Sequence, residues 1–141
     1  MLSSIPAEAG VAAAYGLVGL VLMALGFVLV DALTPGNLRE QIWLERHLGA
    51  ALLLASNLLG VGIIVTTAIR ASEDGIVAGL VSTAAYGVVG LVLMGVSFLA
   101  LDAMTPGRLG TLIMEERAHP AVWVSGASHL AVAAIVAAAI Y

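Results

Sequence analysis

Four long runs without a charged residue constrain the fold of this chain more than any other feature. They cover Ala9–Val30, Leu48–Ile69, Ile76–Leu101 and Pro120–Tyr141. A helix rises about 1.5 Å per residue, so about 20 residues cross a hydrocarbon core of about 30 Å. The mean hydropathy of +1.12 also exceeds what a water-soluble domain of 141 residues can cover with polar surface. The sequence therefore predicts an all-α membrane protein with four transmembrane helices, the first retained rather than cleaved as a leader.

A segment of 24 residues occurs twice, 71 positions apart. Ala13–Gly36 and Ala84–Gly107 are identical at 16 of their 24 positions, and both copies end in Thr-Pro-Gly. Five shared residues recur every four positions, which places them on one face of a helix. They are Tyr15/Tyr86, Gly19/Gly90, Met23/Met94, Phe27/Phe98 and Asp31/Asp102. Each copy thus predicts a helical ridge that ends in a carboxylate.

The duplication predicts two parallel two-helix repeats, residues 1–75 and 76–141. The second helix of each repeat has changed more than the first, because Leu48–Ile69 and His119–Ile140 share only 7 of 22 residues. We expect the two repeats to be related by a pseudo-two-fold axis along the membrane normal. The higher identity between the first helices of the two repeats indicates that their sequence is under a stronger constraint than that of the second helices.

The connection after the first helix begins with a helix break. Thr34-Pro35-Gly36 ends the helix, and threonine followed by proline suits the N-cap and first position of the next helix. Asn37–His47 then alternates charged and apolar residues. This pattern predicts the interfacial first turn of the second long helix, with Trp43 at headgroup depth.

The basic residues indicate a topology. All five are arginines, and four of them lie in the two connections that follow the repeated segment. Because Arg-rich loops tend to stay in the cytoplasm, we expect both termini on the outer side of the membrane. Arg46 and Arg117 each follow a glutamate and set interfacial depth, or alternatively contact lipid headgroups or a cytosolic partner. Trp123 is a further interfacial residue.

Glycines on the two ridges predict close helix contacts. Gly16, Gly19, Gly87 and Gly90 lie in helices where small residues let backbones approach in lipid. We expect these contacts within one chain or between copies of it.

The spacing around the first connection matches a known pattern. The matching positions are Asp31, Thr34-Pro35-Gly36, Leu38, Ile42-Trp43, Glu45-Arg46 and Ala50-Ala51. In this spacing the chain resembles, over essentially its whole length, the bacterial membrane family known as domain of unknown function 350, also called the YjfL-like proteins. The resemblance implies paired-helix repeats and a small inner-membrane protein. It implies no activity, because none is established for the family.

Asp31 and Asp102 form the first candidate site. A carboxylate at a helix C-terminus is disfavoured by roughly 0.3–1 kcal/mol, and an ionisable residue at membrane depth is a functional candidate by default. One hypothesis is a cation or proton site, or an ion pair, at the cytoplasmic mouth. The other is a solvated aspartate that bonds backbone N–H groups of the Thr-Pro-Gly turn.

Asn57 and His129 form the second candidate site. They lie at nearly equivalent places in the second and fourth helices, so the bundle would bring them together near mid-depth. A buried histidine can relay protons or gate a pore. The alternative is a hydrogen-bonding role between helices, with Ser56, Ser125 and Ser128 as partners.

Several kinds of site are excluded or disfavoured. The chain has no cysteine, which excludes disulfides, iron–sulfur ligation and thiol chemistry. His119 and His129 lie about 15 Å apart along a helix, too far to share a metal. Neither a zinc motif, a catalytic serine motif nor a basic patch for nucleic acid occurs. We therefore expect no enzyme activity, no metal, no cofactor and no nucleic-acid partner.

Two functions remain. The first is a homo-oligomeric channel- or transporter-like assembly, with the aspartates at its cytoplasmic mouth and Asn57 and His129 at mid-depth. The second is a structural or accessory subunit of a larger membrane complex. Four helices with 16 glycines and little mass outside the bilayer do not readily enclose a pathway alone. We therefore expect a homo-oligomer or complex subunit surrounded by lipid.

Overall fold

The computed structural model describes residues 4–72, 75–115, 117 and 119–141. This part of the chain forms six α-helices and no strand. They are α1 (Ile5–Leu33), α2 (Leu38–Trp43), α3 (Leu48–Arg70), α4 (Ile76–Met104), α5 (Leu109–Ile113) and α6 (Ala121–Ile140). Four of them, α1, α3, α4 and α6, are long and apolar enough to cross a membrane. The predicted all-α fold with four transmembrane helices is confirmed.

The short helix α2 begins at a different cap from the one predicted. The Asn37 side chain accepts hydrogen bonds from the N–H groups of Arg39 at 3.1 Å and Glu40 at 3.4 Å. Thr34 is not this cap, because it ends α1 in an extended conformation with φ −108°. The prediction was wrong because Gly36, at φ +92°, turns the chain and leaves Asn37 to meet the free N–H groups.

The segment Asn37–His47 is not the first turn of the second long helix, as the sequence had indicated. Helix α2 stops at Trp43, and Arg46 adopts a left-handed conformation with φ 55°. His47 then caps α3, where its Nδ1 accepts the N–H of Ala50 at 3.3 Å. A new cap at His47 separates the two helices. In the second connection, Glu116 lies outside the described residues.

Both short helices are held to the bundle by their first residue. Leu38 is 0% exposed and Leu109 is 2% exposed. Together with Ile113 they belong to the largest described cluster of buried apolar side chains. That cluster also contains Val30, Ala50, Leu53, Leu54, Phe98 and Val122. The connections are therefore packed parts of the fold, with their apolar residues buried against α1, α3, α4 and α6.

The membrane helices are arranged around α3. Helix α3 is the most buried of them and packs against α1, α4 and α6. Helix α4 also packs against α1 and α6, whereas contact between α1 and α6 is at most marginal in the described part of the chain. A two-fold axis would make α6 contact α1 as α3 contacts α4. The two-fold relation is thus not confirmed, and the division at residues 75 and 76 stays a prediction.

Loss of the Leu38 side chain should destabilise the fold. We expect Leu38→Ala to lower the free energy of unfolding by about 2–5 kcal/mol, because it leaves a cavity under α2. Thermal unfolding in detergent measures the effect. Leu44→Ala is the matched control, since Leu44 is 77% exposed, and should leave the midpoint nearly unchanged. Equal midpoints for the two variants would contradict a packed α2.

Candidate functional site

The carboxylates of Asp31 and Asp102 bind backbone in the same way. Asp31 Oδ1 accepts the N–H of Leu38 at 2.8 Å, and Asp102 Oδ1 accepts the N–H of Leu109 at 2.6 Å. Each bond spans seven residues and reaches across the Thr-Pro-Gly break to the first residue of the next short helix. The donor in each case lies two residues beyond the turn that the sequence had indicated.

Each residue of the Thr-Pro-Gly break has a structural task. Thr34 Oγ1 donates to the carbonyl of Val30 at 2.8 Å, and Thr105 does the same to Leu101 at 2.7 Å. Proline has no N–H group, so its position in the break leaves no backbone donor that needs a partner. The glycines adopt φ +92° and +99°, which other residues rarely do. The break therefore turns the chain so that the aspartate can close the junction.

The two junctions lie against each other at one end of the bundle. A Cβ built at Gly110 would lie 3.0 Å from Pro35 Cδ and 3.3 Å from the carbonyl oxygen of Leu33. Asp102 and Arg108 help to line a cavity of about 320 Å³ at this contact. Both connections border this cavity, and the sequence repeat alone did not indicate that they would lie together.

Asn57 and His129 are both buried, but their side chains bond to different residues. His129 Nδ1 lies 3.4 Å from Ser56 Oγ, and Ser56 donates its hydroxyl hydrogen to the carbonyl of Leu53 at 2.8 Å. The serine oxygen therefore accepts from the histidine, which assigns a proton to Nδ1. Asn57 Nδ2 donates to Met94 Sδ at 3.5 Å. These contacts join α3 to α6 and α3 to α4 within the membrane.

The contact between the first and second membrane helices is formed by different residues in the two copies of the repeat. Asn57 and Gly26 meet between α3 and α1, where a Cβ built at Gly26 would lie 2.6 Å from Asn57 Oδ1. Their counterparts 71 positions later are Ser128 and Ser97, whose hydroxyl groups are hydrogen-bonded to each other. A large residue faces a glycine in the first repeat, and two small residues face each other in the second.

Three polar atoms in the membrane helices are buried without a hydrogen-bond partner among the described residues. They are Asn57 Oδ1, Thr83 Oγ1 and Ser125 Oγ. Sequence reasoning had named Asn57 and Ser125 but had missed Thr83. Its signal was a polar residue within the uncharged run Ile76–Leu101, and a hydroxyl in such a run is unremarkable until its burial is known.

The ridge glycines occupy different environments. Gly87 and Gly90 are buried against Leu22 and Ile64, and a Cβ at either position would overlap those side chains. A Cβ at Gly19 would lie 3.6 Å from Val65. At Gly16, a Cβ would have no neighbour within 4 Å in the described part of the chain outside its own helix.

The predicted interfacial side chains lie on the surface. Trp43, Arg46, Arg117 and Trp123 are all exposed. The rings of Trp43 and Phe27 are 6.5 Å apart and tilted by 48°. An open groove of about 710 Å³ beside them is lined by Phe27, Asn37, Arg39, Glu40, Trp43 and Leu44. This end of the molecule therefore presents aromatic and charged groups together.

The described residues contain no group of three His, Asp or Glu side chains that could hold a metal ion. The site is thus defined by the aspartate junctions at one end and by the buried polar groups between the helices.

Removing the charge and removing the acceptor should have different effects at the aspartates. Asp102→Asn keeps an oxygen that accepts the Leu109 N–H, so we expect almost the wild-type thermal midpoint. Asp102→Ala leaves that donor unpaired and should cost about 1–3 kcal/mol of stability. Glu115→Ala, at an exposed carboxylate near the same end, controls for net charge. Equal destabilisation by Asn and Ala would show that the charge, and not the hydrogen bond, matters.

The contact between Gly26 and Asn57 gives a rescue experiment. Gly26→Ser should destabilise the protein by about 1–3 kcal/mol, because the new side chain overlaps the buried amide. Adding Asn57→Ser should restore much of this stability, since it reproduces the pair found at Ser97 and Ser128. A double variant that is less stable than Gly26→Ser, in the same thermal assay, would contradict the proposed size complementarity.

Comparison with known proteins agrees with this architecture. The family model described as Domain of Unknown Function (DUF350) matches residues 1–140. A UPF0719 transmembrane protein of Mycolicibacterium paratuberculosis (strain ATCC BAA-968 / K-10) is 33% identical over 126 residues, which cover 89% of this chain and 83% of the relative. The UPF0719 transmembrane proteins Mb2631 of Mycobacterium bovis (strain ATCC BAA-935 / AF2122/97) and MT2674.1 of Mycobacterium tuberculosis (strain CDC 1551 / Oshkosh) are each 38% identical over the same shares. No solved structure matches the chain. The family resemblance inferred from the sequence is confirmed, and the chain belongs to the DUF350 family of transmembrane proteins.

Proposed function

We propose that the protein forms a homo-oligomeric, channel- or transporter-like assembly of the bacterial inner membrane that moves a small polar or ionic solute. The observation that carries this proposal is the set of unpartnered polar atoms at Asn57, Thr83 and Ser125. A polar group without a partner is costly in an apolar environment. A water molecule or a solute in passage would supply the missing hydrogen bonds.

The unpartnered groups lie at different depths. At 1.5 Å per residue, Ser125 lies about 6 Å from the start of α6 and Asn57 about 14 Å from the start of α3. Both helices start at the end that holds α2 and α5. Thr83 lies about 10 Å from the start of α4, at the opposite end. Unpartnered polar groups therefore lie toward both ends of the bundle, as a route across the membrane requires.

An apolar layer separates the two ends. Val61 and Ile64 are buried on α3 about 6 and 11 Å beyond Asn57, toward the end that holds Thr83. Hydrophobic constrictions close channels by excluding water. In the proposed mechanism this layer is a closed gate, and a movement of α4 relative to α3 opens it.

Asp31 and Asp102 lie at the end of the bundle where the route would open to the cytoplasm, with the termini outside. Each carboxylate uses one oxygen to bind a backbone N–H. Two carboxylates at the mouth would raise the local concentration of cations there. The aspartates thus combine a structural bond with an electrostatic role.

The second candidate function is an accessory subunit of a larger membrane complex. It is favoured by the polar contacts that join α3 to α6, α3 to α4 and α4 to α6. A subunit of this kind needs rigid helix contacts and no route. Extraction in mild detergent distinguishes the two functions. A homo-oligomer without another protein supports the first, and a stoichiometric partner supports the second.

Flux measurements test the polar route. Purified protein in liposomes should conduct protons or monovalent cations above the level of empty liposomes. We expect Asn57→Leu to reduce the flux roughly tenfold, equivalent to about 1.4 kcal/mol of barrier. Thr67→Val is the control, because the Thr67 hydroxyl donates to a carbonyl of its own helix, that of Ile63. No flux from wild type, or equal flux from Asn57→Leu, contradicts the proposed route.

The charge at the mouth is tested in the same liposomes. The double variant Asp31→Asn/Asp102→Asn keeps both backbone hydrogen bonds and removes both charges. We expect it to assemble normally and to conduct cations less well than wild type, with the larger difference at low ionic strength. Wild-type cation flux at every salt concentration would show that the aspartates act only through their backbone bonds.

A further inference from the structure

The contact between the two repeats joins faces that are not equivalent. Leu22 of α1 is buried against Gly87 of α4. The repeat counterpart of Leu22 is Leu93, and the counterpart of Gly87 is Gly16. Leu93 is 42% exposed, and a Cβ at Gly16 would meet no neighbour within 4 Å among the described residues outside its own helix. The first repeat inserts a leucine into the second, and the reciprocal contact is absent from this part of the chain.

Helix α3 repeats this asymmetry. Ile64 is buried against Gly90, and Gly60 is buried against Met94. Ile135, the counterpart of Ile64, is 68% exposed on α6. Met23, the counterpart of Met94, is 36% exposed on α1. The exposed face of α6 therefore corresponds to the buried face of α3.

The exposed faces of Leu93 and Gly16 match each other in shape, because they are the repeat counterparts of the faces of Leu22 and Gly87, which pack together within the chain. The second repeat presents free side chains on α4 and α6, at Leu93 and Ile135. The first repeat presents the exposed small residue Gly16 on α1. A heterologous contact joins two different surfaces, so a pair of copies still has one unused surface of each kind. Further copies can bind there and extend the assembly into a ring or a line.

We propose that a second copy of this chain binds with its α1 against α4 and α6 of the first copy. In this contact Leu93 of one copy packs against Gly16 of the next, as Leu22 packs against Gly87 within the chain. The proposal rests on the homo-oligomer of the proposed function and specifies its contact surface. It reuses a contact that the fold already makes, so the occupant is the same chain.

The membrane orientation of the second copy suits this contact. Both repeats begin with a helix that crosses in the same direction, because one membrane helix, α3, lies between α1 and α4. A second copy inserted like the first therefore presents its α1 parallel to α4, as the intrachain contact does. Glycine at the contact lets the two helices approach closely in lipid, where packing provides the main attraction.

Disulfide cross-linking between copies tests the proposal, because the natural chain has no cysteine. One copy carries Gly16→Cys, a differently tagged copy carries Leu93→Cys, and the two are co-expressed and oxidised in membranes. We expect a cross-linked product that contains both tags. Both positions are exposed, so neither substitution disturbs the packing of the single chain.

Control variants define the contact. Val21→Cys should cross-link poorly to Leu93→Cys, because Val21 is exposed but lies five residues on, about 140° around α1. Either Gly16→Cys or Leu93→Cys expressed alone should give no cross-link. A product from Gly16→Cys alone would indicate a symmetric contact and overturn the proposal. Failure of the mixed pair to cross-link would overturn it as well.

A substitution at Gly16 gives a second measurement. Gly16→Leu fills the free surface without touching the core, so we expect a monomeric or smaller species of normal thermal stability. Retention of the wild-type mass would contradict the contact. These measurements report association and not transport. Flux without the mixed cross-link overturns this contact alone, and the cross-link without flux overturns the proposed transport alone.

Discussion

The hydrogen bond between an aspartate carboxylate and a leucine N–H is the interaction on which the rest of the structure depends. Asp31 binds Leu38 and Asp102 binds Leu109 across the same Thr-Pro-Gly break. Both leucine side chains are buried in the core at this end of the bundle. One residue therefore ties the break to α1 or α4 through its N–H and to the neighbouring helices through its side chain. This double attachment fixes where the chain re-enters the membrane.

The position of the re-entry decides which helices meet. Helix α3 follows the first junction and packs against the other three membrane helices. Its polar residues then have no water to face, and Ser56 and Asn57 find partners on α6 and α4. Some atoms find none, and these define the candidate route. The same packing leaves Leu93 and Ile135 of the second repeat exposed, whereas their counterparts Leu22 and Ile64 in the first repeat are buried. The unpartnered polar atoms and the exposed face of the second repeat are thus consequences of one asymmetric arrangement.

The sequence predicted the membrane helices well and the connections less well. Apolar length alone identifies a membrane helix, so the four spans followed from the positions of the charged residues. The cap at Asn37 depended on the turn made by Gly36, and local patterns did not distinguish it from a cap at Thr34. The role of Asp31 required a contact seven residues away. Its importance could be predicted from the duplication, but its partner could not.

Asymmetry between the repeats was also outside the reach of the sequence. Gly16 and Gly87 stand in nearly identical segments, yet one is exposed and the other is buried against Leu22. The difference arises from which side of α4 faces α1, a property of the whole bundle. Amide hydrogen exchange at Leu38 and Leu109, in protein embedded in a lipid bilayer, measures directly whether the aspartate hydrogen bonds hold the two junctions. We expect slow exchange at both amides in wild type and fast exchange at Leu109 in Asp102→Ala. Fast exchange at both amides in wild type would contradict this expectation.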